Sequence, residues 1–424
     1  MYLEIPTYHE RLDELAEQLR EHGHLGLLLI DASELAQVEH DYGSRAFEQV
    51  LSLVSGLVRE LQGAEVRAAD LLALNERGGN AFLLFLSPRR GEADGRPRIA
   101  DLEAIRGRVE EQLNHKLSSF SSPYLRGRRK VTVGYAVVFH NPLIMAERVV
   151  ARLVKEASES IDIQKAQAHF QTRCRLQDVM LGQQIMTVFQ PIIDLQHGGR
   201  HGFEALSRGP AGTQQHSPLN LFEAAKESDL TFELDRHCRR RALRTAHDLP
   251  SPNRLFINVV PASMYDPDLQ GASLIELLEG MGLSPARIAL EVSERYAINN
   301  YRLFVEALET FRQLGFSIAV DDIGAGHSGL ENIAHLQPRY LKFDMQLVQD
   351  IDKNPIKREM ARALKTFADK MDSQIVAEGI EREGERQACV ELGLHYGQGF
   401  LLARPAPLET FSLGAEAAPS SVRE

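Results

Sequence analysis

Acidic, amide and basic residues in the second half of the chain lie at or beside the ends of short apolar runs. These residues are Glu204, Asn258, Glu291, Asp321, Asp322, Lys342, Glu378 and Gln398. Carboxylates a few ångströms apart repel one another or take up protons unless cations lie between them. Hard divalent ions with oxygen ligands meet that need. Two such ions ~3.5–4 Å apart stabilise the attacking and leaving oxygens of phosphoryl transfer, so the residue types favour metal-dependent phosphate chemistry.

Eight short apolar runs contain or directly flank these residues, and helical patterns separate most of the runs. The runs are 187–195, 202–206, 254–260, 287–292, 316–320, 340–343, 374–377 and 399–402. Strands that alternate with helices indicate a mainly parallel sheet, and eight units in ~250 residues predict a TIM-like (β/α)8 barrel. The carboxyl ends of parallel strands share one face of such a barrel, so we expect the scattered polar residues to meet there.

The first half of the chain also alternates between strand and helix patterns, which predicts a separate α/β domain. Helices are expected at 9–22, 44–62, 101–117 and 142–165, with strands at 26–32, 81–86 and 130–139. Residues 88–98 read as a surface loop. The polar segment 158–186 is expected to join the halves as a helix, and the small polar tail 413–424 to be disordered.

Composition limits the classes of function. The chain has 424 residues and a formal net charge of -11, which argues against a nucleic-acid-binding protein. Three widely spaced cysteines fit neither a disulfide framework nor a zinc site. Its longest apolar runs fall far short of the ~20 residues that span a membrane, and the acidic N-terminus does not resemble a signal peptide. We expect a cytoplasmic protein without a membrane span.

Eight motifs occur in order between residues 189 and 405. They read FQPIID (189–194), EALSR (204–208), FINVVP (256–261), EVSE (291–294), VDDIGAGHSGL (320–330), LKFD (341–344), VAEGIE (376–381) and YGQGFLLARP (396–405). This ordered set resembles the motifs of EAL-domain cyclic-di-GMP phosphodiesterases. The resemblance implies a cytoplasmic enzyme that opens cyclic-di-GMP to linear pGpG with two Mg²⁺ or Mn²⁺ ions per active site, and a homodimer formed through the EAL domain.

The resemblance also implies roles for individual residues. The first metal would be held by Glu204, Asn258, Glu291 and Asp321, and the second by Asp321, Asp322 and Glu378. Lys342 matches a lysine that orients the attacking water, and the catalytic set is Glu204, Lys342 and Glu378. Residues near the substrate would be Gln190, Leu206, Arg208, Asp344 and Gln398. Glu294 matches a glutamate that supports the loop after Asp322, a loop that is linked to dimerisation in the family.

The loop after the aspartate pair departs from the family pattern at Ile323, Ala325, His327 and Gly329, where the family commonly has Phe, Thr, Tyr and Ser. No proposed ligand is lost, so the departure concerns the rate and the coupling to dimerisation. Single residues also have structural interpretations. Arg208 could pair with Glu204 instead of a phosphate, and His327 could pack within the loop instead of binding a ligand.

Residues ~25–165 resemble a degenerate GGDEF diguanylate cyclase domain. Asp31 matches its first metal aspartate, whereas Asn80 and Ala81 replace the two acidic residues of its signature hairpin. Alanine can neither hold a metal nor support deprotonation, so we predict no cyclase activity. Glu39 and His40 stand where the family has an Asn-Asp pair. Arg67 and Asp70 form an RxxD sequence that resembles an inhibitory product site.

The chain is thus predicted to consist of a lead helix (1–24), a degenerate GGDEF-like domain (25–165), an EAL domain (166–412) and a tail (413–424). The first domain is expected to be regulatory and to offer a surface for a protein partner. An alternative function is a non-catalytic cyclic-di-GMP receptor that signals to a protein partner. A third, a bifunctional cyclase and phosphodiesterase, is disfavoured by Asn80 and Ala81.

Overall fold

A computed structural model describes residues 5–63, 65–87, 99–119, 131–269, 271–293, 301–324 and 330–411. The chain divides into two compact units, Met1–His169 and Phe170–Glu424. Several predictions fall on residues outside the described ranges, namely those for Glu294, for 325–329 including His327, for the loop 88–98 and for the tail 413–424. None of the helices within the described ranges is long and apolar enough to cross a membrane.

The first unit contains an antiparallel sheet with the strand order β2-β3-β1-β4. Its strands are β1 (His24–Asp31), β2 (Leu71–Leu74), β3 (Ala81–Leu86) and β4 (Thr132–Phe139). Its helices are α1 (Leu12–His22), α2 (Ala36–Tyr42), α3 (Ser44–Leu61), α4 (Ile99–Ser119) and α5 (Ala146–Leu181), the last of which contains the division between the units. The sequence patterns do not predict β2 and α2, which are only four and seven residues long.

Both faces of the central strand β1 are buried, because helices cover the sheet on each side. Leu28 and Ile30 belong to a core shared with α3 and α4. The alternate residues Leu27 and Leu29 belong to a second core shared with α1 and α5. Side chains alternate between the faces of a strand, so a continuous apolar run such as GLLLI is what a strand buried on both faces requires.

The second unit is a closed barrel of eight strands, which confirms the predicted TIM-like architecture. The strands are β5 (Met186–Asp194), β6 (Arg200–Arg208), β7 (Arg254–Asn258), β8 (Ile288–Ser293), β9 (Ser317–Ile323), β10 (Tyr340–Phe343), β11 (Gln374–Ala377) and β12 (Tyr396–Gly397). The helices are α6 (Pro218–Glu227), α7 (Thr231–Thr245), α8 (Gly271–Gly280), α9 (Tyr301–Gln313), α10 (Leu330–Leu336), α11 (Met345–Val348), α12 (Pro355–Lys370) and α13 (Glu383–Glu391).

The barrel departs from a regular all-parallel barrel in the direction of one strand, and the predicted position of the eighth strand is wrong. The first strand, β5, runs antiparallel to both of its neighbours, β6 and β12, because a short turn rather than a helix joins it to β6. The eighth strand is Tyr396–Gly397, not 399–402. The later segment turns instead, with the Leu402 N–H donating to the Gly399 carbonyl. A Cβ at Gly399 would lie 2.1 Å from the Ile380 carbonyl oxygen, so this turn requires glycine.

The strand periodicity places the polar residues inside the barrel. An apolar interior cluster consists of Ile192, Phe256, Ala289, Ala319, Tyr340, Val376 and Tyr396. On each of these seven strands, the residue two positions toward the barrel mouth is polar, and strand residues two apart share a face. These seven polar residues and Glu204 on β6 form what we call the site layer. Its members are Gln190, Glu204, Asn258, Glu291, Asp321, Lys342, Glu378 and Gln398.

Candidate functional site

Strand pairing sets the neighbours within the site layer. Gln190 lies opposite Glu204 in the β5–β6 pair, and Asn258 lies opposite Glu291 in the β7–β8 pair. Glu378 follows the last residue of β11, where its N–H donates to the Phe343 carbonyl. The barrel thus gathers residues that are separated by up to 208 positions in the sequence, as in the Gln190–Gln398 hydrogen bond.

Lys342 is the centre of the site layer. Its Nζ lies 2.7 Å from Glu378 Oε1, 2.9 Å from Glu291 Oε1, 3.4 Å from Glu204 Oε2 and 3.5 Å from Asp321 Oδ1. The lysine is 1% exposed, and Glu291 is equally buried. A single buried ammonium group therefore faces four carboxylates, of which Glu204 and Glu291 are buried and the other two are partly exposed.

Amide side chains orient Glu204. Asn258 Nδ2 donates to Glu204 Oε1 at 2.9 Å, and Gln398 Nε2 donates to Glu204 Oε2 at 2.8 Å. The same Gln398 nitrogen donates to Gln190 Oε1 at 3.0 Å, and Gln190 in turn donates to the Ala403 carbonyl. Each donor comes from a different strand or loop, so the Glu204 carboxylate is held from several sides.

The pKa values in the layer reflect competition between burial and charge. Burial raises the pKa of Glu204, but the Lys342 charge and the amide hydrogen bonds outweigh burial and lower it. Burial raises the pKa of Glu291 well above its usual range, and the Glu204 charge raises it further. Burial and the Asp321 charge act in the same way on the pKa of Glu378. Burial opposes the charge of Lys342, yet the surrounding carboxylates raise its pKa well above the usual value.

These shifts indicate a shortage of positive charge. Glu291 Oε2 and Gln398 Oε1 are buried and have no hydrogen-bond partner among the described residues. Buried oxygens without a donor destabilise a protein unless a cation or water satisfies them. The donor set consists of carboxylate and amide oxygens, which hard divalent cations prefer. The residues present therefore fit a divalent metal ion.

Asp322 has an unusual backbone conformation beside this layer. Its φ of 65° lies in the left-handed region, and the following Gly324 also has a positive φ of 99°. The Asp322 N–H donates to Asp321 Oδ1 at 3.0 Å, and Ser293 Oγ lies 3.4 Å from Asp322 Oδ2. Non-glycine residues in this region are strained, and such strain is common at functional sites. The turn separates the two adjacent carboxylates, so that Asp321 alone of the pair contacts Lys342.

The remaining predicted residues differ in their surroundings. Arg208 is half-buried, and its Nη1 donates to the Ser207 carbonyl at 2.8 Å; among the described residues it has no ion pair with Glu204 within 4.0 Å. Burial lowers the pKa of Arg208, while the Glu204 charge raises it. Leu206 lies partly buried on β6. Asp344 caps α11 by accepting the Gln346 N–H at 2.7 Å, and is thus already engaged.

Sequence reasoning missed two ionic networks in the second unit, of which the first is buried. In the first, Arg239 on α7 bridges Asp235 and Asp266 at 2.8 Å each, and the Val260 N–H lies 3.4 Å from Asp235 Oδ1. The second contains Glu385 and Arg382 at the start of α13. A helix-start signal, with an acidic residue three positions after the cap, was present in the sequence REGE. No local signal could show which backbone groups these side chains contact.

Polar residues of the first unit that resembled a cyclase site are engaged within the protein. Asp31 Oδ2 accepts from Lys165 Nζ at 2.8 Å, and Asp31 Oδ1 accepts the Ser33 N–H. Asp70 accepts the N–H groups of Arg67 and Ser87 at 2.7 Å each, and the Arg67 guanidinium donates to the Ser87 carbonyl. The RxxD residues therefore brace a loop. Arg67 and Asp70 also line a small cavity of about 90 Å³.

Comparisons with known proteins connect the barrel to one family. The EAL domain family model matches residues 173–405. The chain is 31% identical over 252 residues to the cyclic di-GMP phosphodiesterase NbdA of Pseudomonas aeruginosa, an alignment that covers 58% of this chain and 32% of NbdA. It is 24% identical over 425 residues to the bifunctional diguanylate cyclase/cyclic di-GMP phosphodiesterase MucR of the same species, covering 94% of this chain and 58% of MucR. The chain spans about a third of NbdA's length.

Solved structures share the barrel fold. The PaMucR phosphodiesterase in complex with c-di-GMP matches with a TM-score of 0.52 and 24% identity, over 57% of this chain and 99% of that one. The FimX EAL domain of Xanthomonas citri in complex with c-diGMP matches with a TM-score of 0.53 and 22% identity, over 58% of this chain and 97% of that one. At this identity the likeness concerns the fold alone.

Proposed function

The chain belongs to the EAL domain family, and from that premise we propose that it hydrolyses cyclic-di-GMP to linear pGpG. Water adds across one P–O3′ bond of the cyclic dinucleotide, so that one nucleotide gains a free 3′-hydroxyl and the other a terminal 5′-phosphate. The observation that supports this most strongly is that four carboxylates surround the single positive charge of the buried Lys342. Carboxylates that outnumber their cations destabilise the fold, so such a cluster indicates a functional role rather than a structural one.

The proposed ligand sets are those predicted from the sequence. Glu204, Asn258, Glu291 and Asp321 would hold one divalent ion, and Asp321, Asp322 and Glu378 the second. Mg²⁺ or Mn²⁺ supplies Lewis-acid stabilisation of the phosphoryl oxygens and a more acidic water when bound. Asn258 and Gln398 keep Glu204 ionised by donating to both of its oxygens.

Two cationic side chains have separate proposed tasks. Lys342 orients the attacking water and offsets the negative charge that develops on the phosphate, because its ammonium is already held at the centre of the layer by four carboxylates. Arg208 binds the substrate phosphate, since its guanidinium donates one described hydrogen bond to a carbonyl and keeps further donors. Gln190, Leu206, Asp344 and Gln398 complete the proposed substrate-binding set.

The first unit and the assembly are part of the same proposal. The GGDEF-like unit is regulatory and makes no cyclic-di-GMP, because Asn80 and Ala81 cannot supply metal-binding carboxylates. The protein acts as a homodimer through its EAL domain, and the first unit offers a surface for a protein partner.

Incubation of the purified protein with cyclic-di-GMP tests the proposal. We expect pGpG in the presence of Mg²⁺ or Mn²⁺ and none with excess chelator, with the nucleotides separated by chromatography. Tight binding of cyclic-di-GMP without pGpG would instead support the receptor function. Equal turnover in excess chelator would exclude the metal-dependent reaction.

A further inference from the structure

The Glu385 carboxylate is buried near the start of α13 and accepts four N–H donors. Its Oε2 accepts the backbone N–H groups of Glu381 at 3.0 Å and Arg382 at 3.1 Å. Its Oε1 accepts the backbone N–H of Asp350 at 3.0 Å and the Arg382 side chain at 2.7 Å. The residue is 2% exposed, so water cannot replace these bonds. A charged acceptor with this many donors holds the attached backbone firmly.

The two backbone segments that Glu385 joins follow neighbouring strands of the barrel. Glu381 and Arg382 lie three and four residues after Glu378, which leaves β11. Asp350 lies eight residues after Lys342, on the segment that leaves β10 and forms α11. Lys342 and Glu378 form the shortest ion pair of the site layer, at 2.7 Å. One side chain therefore links the exits of both strands that hold this pair.

The acidic cluster around Glu385 resembles a metal site but already contains a cation. Ligand oxygens of Asp350, Asp352 and Glu385 lie within 4.8 Å of one another. The Arg382 guanidinium lies among them, at 2.9 Å from Asp350, 2.8 Å from Asp352 and 2.7 Å from Glu385. This guanidinium and the backbone donors offset the free-energy cost of burying the Glu385 carboxylate. Three of its four hydrogen-bond donors are backbone N–H groups, so it holds the backbone and does not need a metal ion.

We propose that Glu385 is a positioning residue for the Lys342–Glu378 pair. This inference rests on the proposed hydrolysis of cyclic-di-GMP for its kinetic test. The loop after Glu378 turns at once through Gly379, whose φ is 69° and at which a Cβ would lie 2.5 Å from Met345 Cβ. Such a tight turn transmits a shift of residues 381–382 to Glu378, and displacements of about 1 Å cost enzymes about 10²-fold in rate.

The opposite side of this loop has its own anchor. The Ile380 N–H donates to the Gln398 carbonyl, and the Leu401 N–H donates to the Ile380 carbonyl. The loop thus keeps one attachment when the bonds to Glu385 are weakened. A Glu385 variant is therefore expected to fold while the placement of Glu378 becomes less precise.

The kinetic test compares Glu385→Gln and Glu385→Ala with the unaltered protein. Glutamine keeps one acceptor oxygen but turns an amide donor toward backbone N–H groups, so we expect kcat to fall about tenfold. Alanine leaves three backbone N–H groups without an acceptor, and we expect a loss of about 10²-fold. KM should stay within about twofold in both variants, because neither substitution touches the proposed substrate-binding residues. Glu385→Asn is not used, because it removes the charge and shortens the side chain at once, and the two effects could not be separated.

Asp352→Asn is the matched control. Asp352 contacts the same Arg382 guanidinium but, among the described residues, accepts no backbone N–H of the loop. It removes a charge from the same cluster, and we expect kcat to be unchanged. Equal losses of kcat in the control and in Glu385→Gln, or a normal kcat per folded molecule in Glu385→Ala, would overturn the positioning role.

A second readout does not depend on turnover. In a metal-free crystal structure of Glu385→Gln we expect the Lys342 Nζ–Glu378 Oε1 distance to exceed 3.5 Å, and faster amide hydrogen exchange at Asp350, Glu381 and Arg382. An unchanged distance and unchanged exchange would overturn the inference. If the unaltered protein hydrolysed no cyclic-di-GMP, the proposed function would fail while this readout would still decide the role of Glu385.

Discussion

Both units bury carboxylates at or near strand ends, but the two units satisfy them differently. Asp31 in the first unit accepts from Lys165 and Ser33, and Asp70 accepts from two backbone N–H groups and a hydroxyl. In the barrel, Lys342 is shared among four carboxylates, and Glu291 Oε2 has no hydrogen-bond partner within the described ranges. In the first unit, protein groups satisfy these two carboxylates. In the barrel, some polar oxygens have no hydrogen-bond partner in the described part of the chain and are available to a ligand.

This difference separates a structural carboxylate from a functional one better than residue type does. Asp31 ends β1 and Asp321 lies near the end of β9, and the sequence predicts a match to a metal aspartate for each. Of the two, only Asp321 lies in a cluster in which the carboxylates outnumber the positive charges. Stability favours fully paired buried groups, so uncompensated ones indicate selection for binding.

The largest expected effect separates the units by activity. Glu204→Ala removes a proposed metal ligand, and we expect cyclic-di-GMP hydrolysis to fall by more than about 10²-fold. Circular dichroism should show the barrel still folded. Asp31→Ala is the matched change in the first unit and should leave hydrolysis unchanged. Normal turnover by Glu204→Ala would remove Glu204 from the metal shell, and with it the contrast between the units.

The next effect concerns stability without metal. Lys342→Met leaves four carboxylates without their cation, and because Glu204 and Glu291 are buried this should lower the free energy of unfolding by about 3–5 kcal/mol in urea. Lys165→Met breaks a pair whose lysine is 37% exposed, so less than about 1 kcal/mol is expected. Mn²⁺ should restore part of the loss in Lys342→Met only. Equal losses in the two variants would mean that both units compensate their carboxylates alike.

A smaller effect is expected at His201, which contacts the apolar interior cluster next to the site layer. His201 stacks on Tyr396 at 3.8 Å, and its Nε2 lies 3.0 Å from the Tyr340 hydroxyl. Burial lowers the pKa of His201 to about 4, from an ordinary value near 6.5. Between these two pH values the unfolded chain binds a proton that the folded barrel does not, so stability falls as the pH falls through this window.

His201→Gln keeps a hydrogen-bonding group beside Tyr340 without this titration. Urea midpoints between pH 7.5 and pH 4.5 should therefore fall less steeply in the variant than in the unaltered protein. Parallel pH profiles for the two proteins would show that His201 does not contribute to the pH dependence.

The smallest expected effect is an absence of change. Asp31→Asn weakens the bond to Lys165 but should alter neither the hydrolysis of cyclic-di-GMP nor the response to GTP. We expect GTP with Mg²⁺ to yield no cyclic-di-GMP in either protein, since Asn80 and Ala81 cannot hold the metal. Appearance of cyclic-di-GMP from GTP would show that the first unit is not degenerate.

The sequence by itself determined the barrel and the order of its strands. The runs 340–343 and 374–377 coincide with β10 and β11, because strongly apolar stretches between helical patterns leave little ambiguity. The same reasoning misplaced the eighth strand, where GFLL has a strand composition but Gly399 packs against Ile380 in a turn. The antiparallel β5 was also missed, since strand direction depends on the connection and not on the strand.

Only the tertiary structure decided how the polar residues act on one another. Glu204, Lys342 and Glu378 were recognisable from their motifs, but their pKa shifts depend on distances across the barrel. No local pattern predicts that Glu385 accepts hydrogen bonds from the segments that follow β10 and β11. Nor does a local pattern predict the ion pair between Asp31 and Lys165. Local sequence sets which residues line a strand end, whereas hydrogen bonds and charges between distant residues exist only once the chain has folded.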